Sequence, residues 1–335
     1  MQTLEVNLWD VGQGDCSTIT LPDGSLIIID VGPRGSPLLD WLNDRPRDIF
    51  ALVLTHNDMD HVGSLPALVG AFGSRIRNFY MLVDRAVNDP KFATTFRCAL
   101  EGEDQGFYTI TRLERGVPIW QDAGLGAQLA VMFPTLSGNV RGIATGPNDT
   151  SGIVQLQLHG KTEFIWPGDS PLSRLAEQCA NANPLLQVGP HHGAPKGYKA
   201  KSAGALIEAV KPRRAFLSVG TKNKFSHPRQ RYILRLELAG CHVACSQMTQ
   251  ICDREVVAGG KSVFPSHFAL ALRPPRRGVS CRGAMQFRLN GATFDPDGLD
   301  QEHLQRIRSL RRAMCLRGRG FRSLFNDARP RRYRT

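Results

Sequence analysis

The sequence predicts an α/β fold in which two β-sheets stack face to face with helices on the outside. Short apolar runs rich in β-branched residues recur along the first 245 positions, with helical segments between them. Hairpin turns join several of the runs, and strand-terminal loops repeatedly carry His, Asp and Gly. At 335 residues and 41% apolar composition, the chain can bury one large core and still carry an extension. Such mixed strands and helices pack most simply as two layers of sheet with helices outside.

The elements follow in order. Leu4, Val6 and Leu8 alternate with Glu5 and Asn7, the period of a half-buried strand. Val11-Gly12-Gln13-Gly14-Asp15 is a turn, and a strand follows over 17–21. Pro22-Asp23-Gly24 makes a hairpin, then 26–30 (Leu-Ile-Ile-Ile-Asp) reads as a fully buried strand. A short helix is expected at 37–42 and a buried strand at 51–54. Helices are expected at 64–71, 172–180, 203–210 and 229–238. Strands are expected at 79–83, 125–133, 153–158, 162–166, 185–188 and 214–219. Composition shifts at Gly259-Gly260 and again at Pro274-Pro275-Arg276-Arg277, which divides the chain into a main domain, 1–258, and an extension, 259–335. Within the extension a strand is expected at 282–289 and an amphipathic helix over 299–316, through Leu304, Ile307, Leu310 and Met314. Arg317 onward reads as poorly ordered.

Net charge is +12, and its distribution is uneven. Residues 273–335 hold 16 Arg, no Lys and 5 acids, a local charge of +11, so the remainder is nearly neutral. An Arg-rich arm of this kind attracts polyanions, nucleic acid first, with a protein partner as the second reading. No apolar run reaches the length of a membrane span, so no membrane partner is expected. The first residues show neither a basic nor an apolar leader pattern, and the expected address is the cytoplasm. Eight cysteines in such a chain argue against a disulfide framework. Cys241, Cys245, Cys252 and Cys281 cluster in sequence and are candidates for a structural zinc site, with buried thiols as the plain alternative.

The segment Thr55-His56-Asn57-Asp58-Met59-Asp60-His61-Val62-Gly63 carries the chemistry. It places four potential ligands within six residues, directly after a buried strand. Imidazole and carboxylate together suit a divalent cation, whereas the same groups crowded without one would repel and resist desolvation. Three later strand ends carry similar groups: Gly168-Asp169, His191-His192-Gly193 and Ser226-His227-Pro228. No Gly-x-Ser-x-Gly elbow is present, and no Gly-Lys-Ser/Thr follows the Gly12-Gln13-Gly14 turn.

These motifs, with Asp10-Val11-Gly12-Gln13-Gly14-Asp15 and Ile29-Asp30-Val31-Gly32, resemble the metallo-β-lactamase superfamily over about residues 4–255. Within it they are most similar to the nuclease-like domain of ComEC-type DNA-uptake proteins. The resemblance implies an αββα sandwich with a basic C-terminal extension, and one or two divalent ions, Zn²⁺ or Mn²⁺. It implies that His56 and Asp58 hold one ion and Asp60 and His61 the other, with Asp169 bridging and His191 or His192 completing the second site. Asp30 would orient a ligand from behind, and His227 would contact substrate or donate a proton. Lys196, Lys199 and Lys201 would meet a phosphate backbone. Phe133 stands where a further family histidine is expected, and the extra carboxylate keeps Mn²⁺ beside Zn²⁺. The activity implied is phosphodiester hydrolysis of DNA or RNA by a metal-activated hydroxide. The alternatives are a small-molecule phosphoester or lactone hydrolase and an inactive binding module of the same fold.

Overall fold

A computed structural model of the chain describes residues 3–82, 90–135, 147–259, 278–310 and 312–316. Two sheets form the body. The first takes β1 (Glu5–Leu8), β2 (Cys16–Thr20), β3 (Leu26–Val31), β4 (Ile49–Val53), β5 (Ile76–Met81) and β6 (Thr109–Arg112) in chain order. The β1–β2–β3 pairs are antiparallel and β3 to β6 run parallel. The second takes β7 (Pro118–Asp122), β8 (Ala127–Phe133), β9 (Ile153–Leu158), β10 (Lys161–Trp166), β11 (Leu186–Val188), β12 (Arg214–Leu217) and β13 (His242–Cys245). Antiparallel hairpins build its β7–β10 half, and parallel strands build β10–β13.

The period of two explains how one strand serves two layers. In β3, Ile27 and Ile29 enter the core between the sheets, while Leu26 and Ile28 pack beneath the outer helices. The inter-sheet core meets Val6, Leu8 and Val53 from one side with Val131, Leu156, Phe164 and Phe216 from the other. Polar contacts cross it as well: Trp166 Nε1 donates to Ser17 Oγ at 3.0 Å, and Tyr80 Oη to Pro118 O at 3.4 Å. Outside the first sheet lie α1 (Pro37–Asp44), α2 (Met59–Val62), α3 (Leu65–Phe72) and α4 (Pro90–Asp104). Ser36 caps α1 by accepting from Leu38 N, with Pro37 at the first helical position. α5 (Leu172–Gln178), α6 (Ala203–Val210) and α7 (Gln230–Leu238) accompany the second sheet, followed by α8 (Arg254–Gly259).

The expected boundary at 258 does not coincide with the edge of the fold. β14 (Met285–Asn290) pairs antiparallel with β1, Val6 opposite Phe287, and β15 (Thr293–Pro296) pairs with β14. Met285, Phe287 and Phe294 enter the inter-sheet core. α9 (Asp300–Ile307) is shorter than the helix expected over 299–316, and a separate turn follows at Met314–Leu316. Ile307, Ala313 and Met314 pack with Tyr232, Ile233 and Leu236, so an apolar face of the extension closes over α7. Ion pairs reinforce it: the fully buried Arg282 binds Asp297 and Asp300, and Arg214 of β12 reaches Asp300 at 2.7 Å. The composition break near 259 lies in the connection to these strands. Residues 260–277 and the Arg-rich tail from 317 lie outside the described residues.

Asp10, at the end of β1, is fully buried and ties three segments together. It accepts from Gly12 N (3.3 Å), Gln247 Nε2 (3.0 Å) and Ser280 Oγ (2.6 Å). Burial outweighs these donors and pushes its carboxyl up to about 7 from 3.8. A folded pKa above the unfolded one means that the folded state holds the proton longer. This contribution to stability is full below pH ~4 and is lost as pH rises through about 7. Asp10→Asn should therefore flatten the pH dependence of unfolding between those limits, as chemical denaturation at several pH values would show. Ending the chain at residue 258 should leave one edge of β1 unpaired and open the core. The expected result is an aggregating or non-cooperatively unfolding product in calorimetry, against a single cooperative transition for the full chain.

Candidate metal centre

Four strand-end segments meet at the mouth of the sandwich, and left-handed backbone marks three of them. Asp30 is the penultimate residue of β3, and its φ of 56° is left-handed. Its carboxylate accepts from Thr55 N at 2.8 Å and Thr55 Oγ1 at 2.7 Å, and meets His61 Nδ1 at 2.8 Å. β4 leads into Thr55-His56, and the next turn passes through Asp58 into α2, which carries Asp60 and His61. The short α2 is held closely: a Cβ at Gly63 would lie 2.4 Å from Met59 O, and one at Gly14 would lie 2.1 Å from Asp60 O. β10 ends at Gly168-Asp169, and Gly168 also has positive φ. After β11, His191 and His192 are consecutive left-handed residues (φ 48° and 51°). Non-glycine residues seldom adopt that region, and such strain concentrates at functional sites.

Asp169 is the hub. It is almost fully buried and its two oxygens face different partners. Oδ2 lies 3.5 Å from His56 Nε2 and 3.5 Å from His191 Nε2, whereas Oδ1 lies 3.4 Å from His61 Nε2 and 3.7 Å from His192 Nε2. Asp58 Oδ2 stands 3.7 Å from His56 Nε2, and Asp60 Oδ2 stands 3.1 Å from His192 Nε2. The structure thus brings His56, Asp58, Asp60, His61, Asp169, His191 and His192 together, with one of the paired histidines on each side of Asp169. Two groupings have ligand atoms within 4.8 Å of one another: His56, His61 and Asp169, and Asp15, His61 and His192.

Asp15 is a cleft residue that the sequence reading left within a structural turn. Its Oδ1 lies 3.6 Å from His192 Nδ1. The only signal for it was position, since it closes the Asp10–Asp15 motif beside the chain's glycine turn. Asn148 adds another unforeseen contact, donating to Asp169 Oδ2 at 3.2 Å. Phe133 is turned away from the cleft, into the apolar cluster of Ile153, Ile165 and Leu175, with the Arg174 guanidinium over its ring.

The electrostatics fit a missing positive charge. Burial opposes ionisation of Asp169, yet the His56, His61 and His192 imidazoles hold its carboxyl well below the usual range. Burial likewise opposes protonation of His61 and His192. Asp30 and Asp169 nevertheless hold His61 well above its ordinary value, and Asp15, Asp60 and Asp169 raise His192 to about 10. Asp15 Oδ1, His56 Nε2, Asp169 Oδ1 and His192 Nδ1 are buried and make no hydrogen bond. Buried polar atoms are normally satisfied, so a cluster of orphaned donors and acceptors is the mark of a cation site.

His227 flanks this cluster. Its ring lies 5.0 Å from that of His191, and Nδ1 is 3.4 Å from Gln13 Nε2. Burial and the neighbouring His191, His192 and Arg229 push it down to about 4, so the ring is neutral at pH 7. Lys196 is exposed but bound to Asp149 at 2.9 Å, Lys199 lies over the Tyr198 ring, and Lys201 faces solvent. Among the described residues no cysteines form a metal-holding group. Cys241 Sγ points to the His242 carbonyl, and Cys245, Cys252 and Cys281 are buried thiols of the apolar cluster outside the second sheet. Desolvation raises Cys245 and Cys281 well above the usual thiol value. Cys245, Cys252 and Cys281 lie close enough to one another to interact electrostatically, and Cys281 Sγ sits 3.5 Å from His303 Nε2, whereas Cys241 stands apart on the His242 carbonyl.

Residues 9–95 match the profile of the metallo-β-lactamase superfamily. The match spans β2 to β5 and the whole His56–His61 segment. The chain has the metallo-β-lactamase fold. This metallo-β-lactamase-fold chain is 27% identical over 262 residues to ComE operon protein 3 of Bacillus subtilis, covering 70% of this chain and 30% of that protein. It is 25% identical over 243 residues to Recombination protein 2 of Haemophilus influenzae, covering 70% of this chain and 26% of that one. The alignments thus span under a third of the curated relatives' length. Among solved structures, Igni18, a metallo hydrolase of Ignicoccus hospitalis, superposes with a TM-score of 0.48 at 19% identity, covering 72% of this chain and 94% of that chain. Human short-form tRNase Z gives 0.40 at 11% identity, covering 63% of this chain and 91% of that chain. No described helix is long and apolar enough to cross a membrane.

Asp30 holds Thr55 and His61 and so acts on the centre through them. Asp30→Ala should lower divalent-metal affinity by about 10–100-fold in competition with a chelating dye, with the far-ultraviolet dichroism of the wild type retained.

Proposed function

We propose that this protein is a metal-dependent phosphodiesterase, a nuclease acting on DNA or RNA. The observation that carries the reading is the buried Asp169 carboxylate, each oxygen facing its own pair of imidazoles. In this reading His56, Asp58, His191 and Asp169 hold one ion, and Asp60, His61, His192 and Asp169 hold the other, with Asp15 at the edge of the second. His191 supplies on the first side the imidazole that Phe133 does not. The donor set of imidazole and carboxylate fits Zn²⁺ or Mn²⁺. When bound, a pair of such ions acidifies a water and neutralises charge on the phosphoryl oxygens.

The protein's own residues supply position and shielding. Asp30 fixes the tautomer and tilt of His61 through Nδ1. Asn148 and Ser151 hold Asp169 from its far side, the first at the side chain and the second at the backbone N–H. His227, with Gln13 donating to Nδ1, keeps its proton on Nε2 and can hydrogen-bond a phosphate oxygen or a leaving oxygen. Lys199, over the Tyr198 ring, and the exposed Lys201 would meet backbone phosphates. The Arg-rich segment from 317 adds attraction for a polyanion, in line with a nucleic-acid substrate. The names of the two curated relatives, one from the ComE operon and one a recombination protein, point the same way. Within the cell, the cytoplasm fits such a substrate.

Hydrolysis of bis-p-nitrophenyl phosphate and of single- and double-stranded DNA and RNA, with added Mn²⁺ or Zn²⁺, tests the reading. Asp60→Ala and Asp169→Ala should each lower turnover by at least about 100-fold, and chelator should abolish it. Turnover of small phosphoesters or lactones with no action on any polymer would favour the small-molecule alternative instead. A chain ending at residue 316 keeps the packed turn at Met314–Leu316. It should bind DNA more weakly and with a shallower salt dependence than the full chain.

A further inference from the structure

Between β12 and α7 runs the loop Thr221-Lys222-Asn223-Lys224-Phe225-Ser226-His227. Phe225 is half exposed, and among the described residues it is the one exposed large hydrophobic that is aromatic. Its ring centroid lies 5.8 Å from that of His227, which in turn lies 5.0 Å from His191 of the metal cluster. Lys224 Nζ lies over the same ring, 5.4 Å from its centroid, and Lys222 of the same loop is exposed. Lys222 also lines a cleft of about 660 Å³ shared with Gln13 and Arg34. That cleft abuts the metal loops, because Pro33 and Arg34 pack on Gly63 and Gln13 reaches His227.

The loop is held rather than loose. Asn223 Nδ2 donates to Gly220 O at 2.7 Å and to His227 O at 2.8 Å, and its Oδ1 accepts from His227 N at 2.8 Å. At the other end Thr221 donates to Gln247 Oε1 and accepts from Val279 N at 2.8 Å. Ser226 adopts a left-handed φ of 57°, which turns the chain between Phe225 and His227. A fold that holds a half-exposed aromatic ring beside the metal cluster, with Lys224 over one face and Lys222 in the same loop, has built a surface that loses little entropy on binding a flat partner.

Resting on the phosphodiesterase reading, we propose that Phe225 is a base-stacking platform that selects single-stranded nucleic acid. One base lies on the Phe225 ring. Lys222 and Lys224 meet the flanking phosphates, and the strand then leads past His227 to the metal centre, with the neighbouring nucleotide in the cleft of Gln13 and Arg34. In a duplex both faces of each base are already covered, so the platform has nothing to stack until a strand is free. Charge complementarity supports this occupant over a second copy of the same chain, since two copies would set Lys222 and Lys224 against each other.

The test uses the full chain in an Asp60→Asn background with chelator present, so that binding is read without turnover. The probe is a short single-stranded DNA carrying one 2-aminopurine, compared with its duplex. Single strand should bind about ten-fold or more tightly than duplex, with quenching of the 2-aminopurine. Phe225→Ala should lose about ten-fold in affinity together with the quench, and Phe225→Trp should restore both. Equal binding of duplex and single strand, or an unchanged quench in Phe225→Ala, would overturn the proposal. So would sedimentation showing that the wild type is a dimer and Phe225→Ala a monomer. If the Asp60→Asn protein binds no nucleic acid, the platform idea fails. Wild-type turnover of bis-p-nitrophenyl phosphate then decides separately whether the phosphodiesterase reading stands.

Discussion

A carboxylate buried among four imidazoles is the constraint to which the rest of this structure answers. Asp169 has almost no contact with water, and Oδ1 finds no hydrogen-bond donor. An isolated ion in that setting would be costly to desolvate, so the surrounding charge has to compensate. The compensation comes from segments far apart in sequence: His56 and His61 after β4, and His191 and His192 after β11. For all of them to converge, the two sheets must stack with their strand ends in one plane. The apolar core between the sheets, and the Trp166–Ser17 contact that crosses it, set that registration. Left-handed backbone at Asp30, His191 and His192 is the local cost of aiming side chains at a common point.

Support for the cluster extends outward in layers of hydrogen bonds. Asp30 links Thr55 to His61, and Asn148 and Ser151 steady Asp169. Gln13 joins the first glycine turn to His227, and Asp10 joins the same turn to Gln247 and Ser280. That last link brings the C-terminal third of the chain into the architecture of the cleft. The fold therefore behaves as one body over its described residues, although its composition changes sharply near residue 259.

The layered α/β arrangement was readable because continuous apolar runs such as 26–29 and 51–54 leave few alternatives, and hairpins such as Pro22-Asp23-Gly24 announce themselves. The His56–Asp60 segment was readable because ligand types crowd into a few positions after a buried strand. Less legible were β6, β7 and β15, whose short, half-exposed sequences carry little periodic signal. The pairing of β14 with β1 was hidden, since nothing local to either strand specifies a partner nearly 280 positions away. The role of Asp15 was hidden for the same reason: only the folded chain shows that His192 faces it. Of the four late cysteines, Cys241 turns toward a carbonyl, whereas Cys245, Cys252 and Cys281 draw near one another outside the second sheet, an arrangement that only the folded chain shows. Which of the paired histidines serves which side was also a matter of backbone, because two successive left-handed residues send adjacent rings to opposite oxygens of Asp169.

The partnership of the first and fourteenth strands has a consequence for how the protein is made. While the ribosome is still working through the middle of the gene, the N-terminal sheet has all its central strands but a bare hydrogen-bonding rim along Glu5–Leu8. That rim waits for Met285–Asn290 and stays an adhesive border until those residues are made. Such delayed closure of a long-range pairing makes for slow folding.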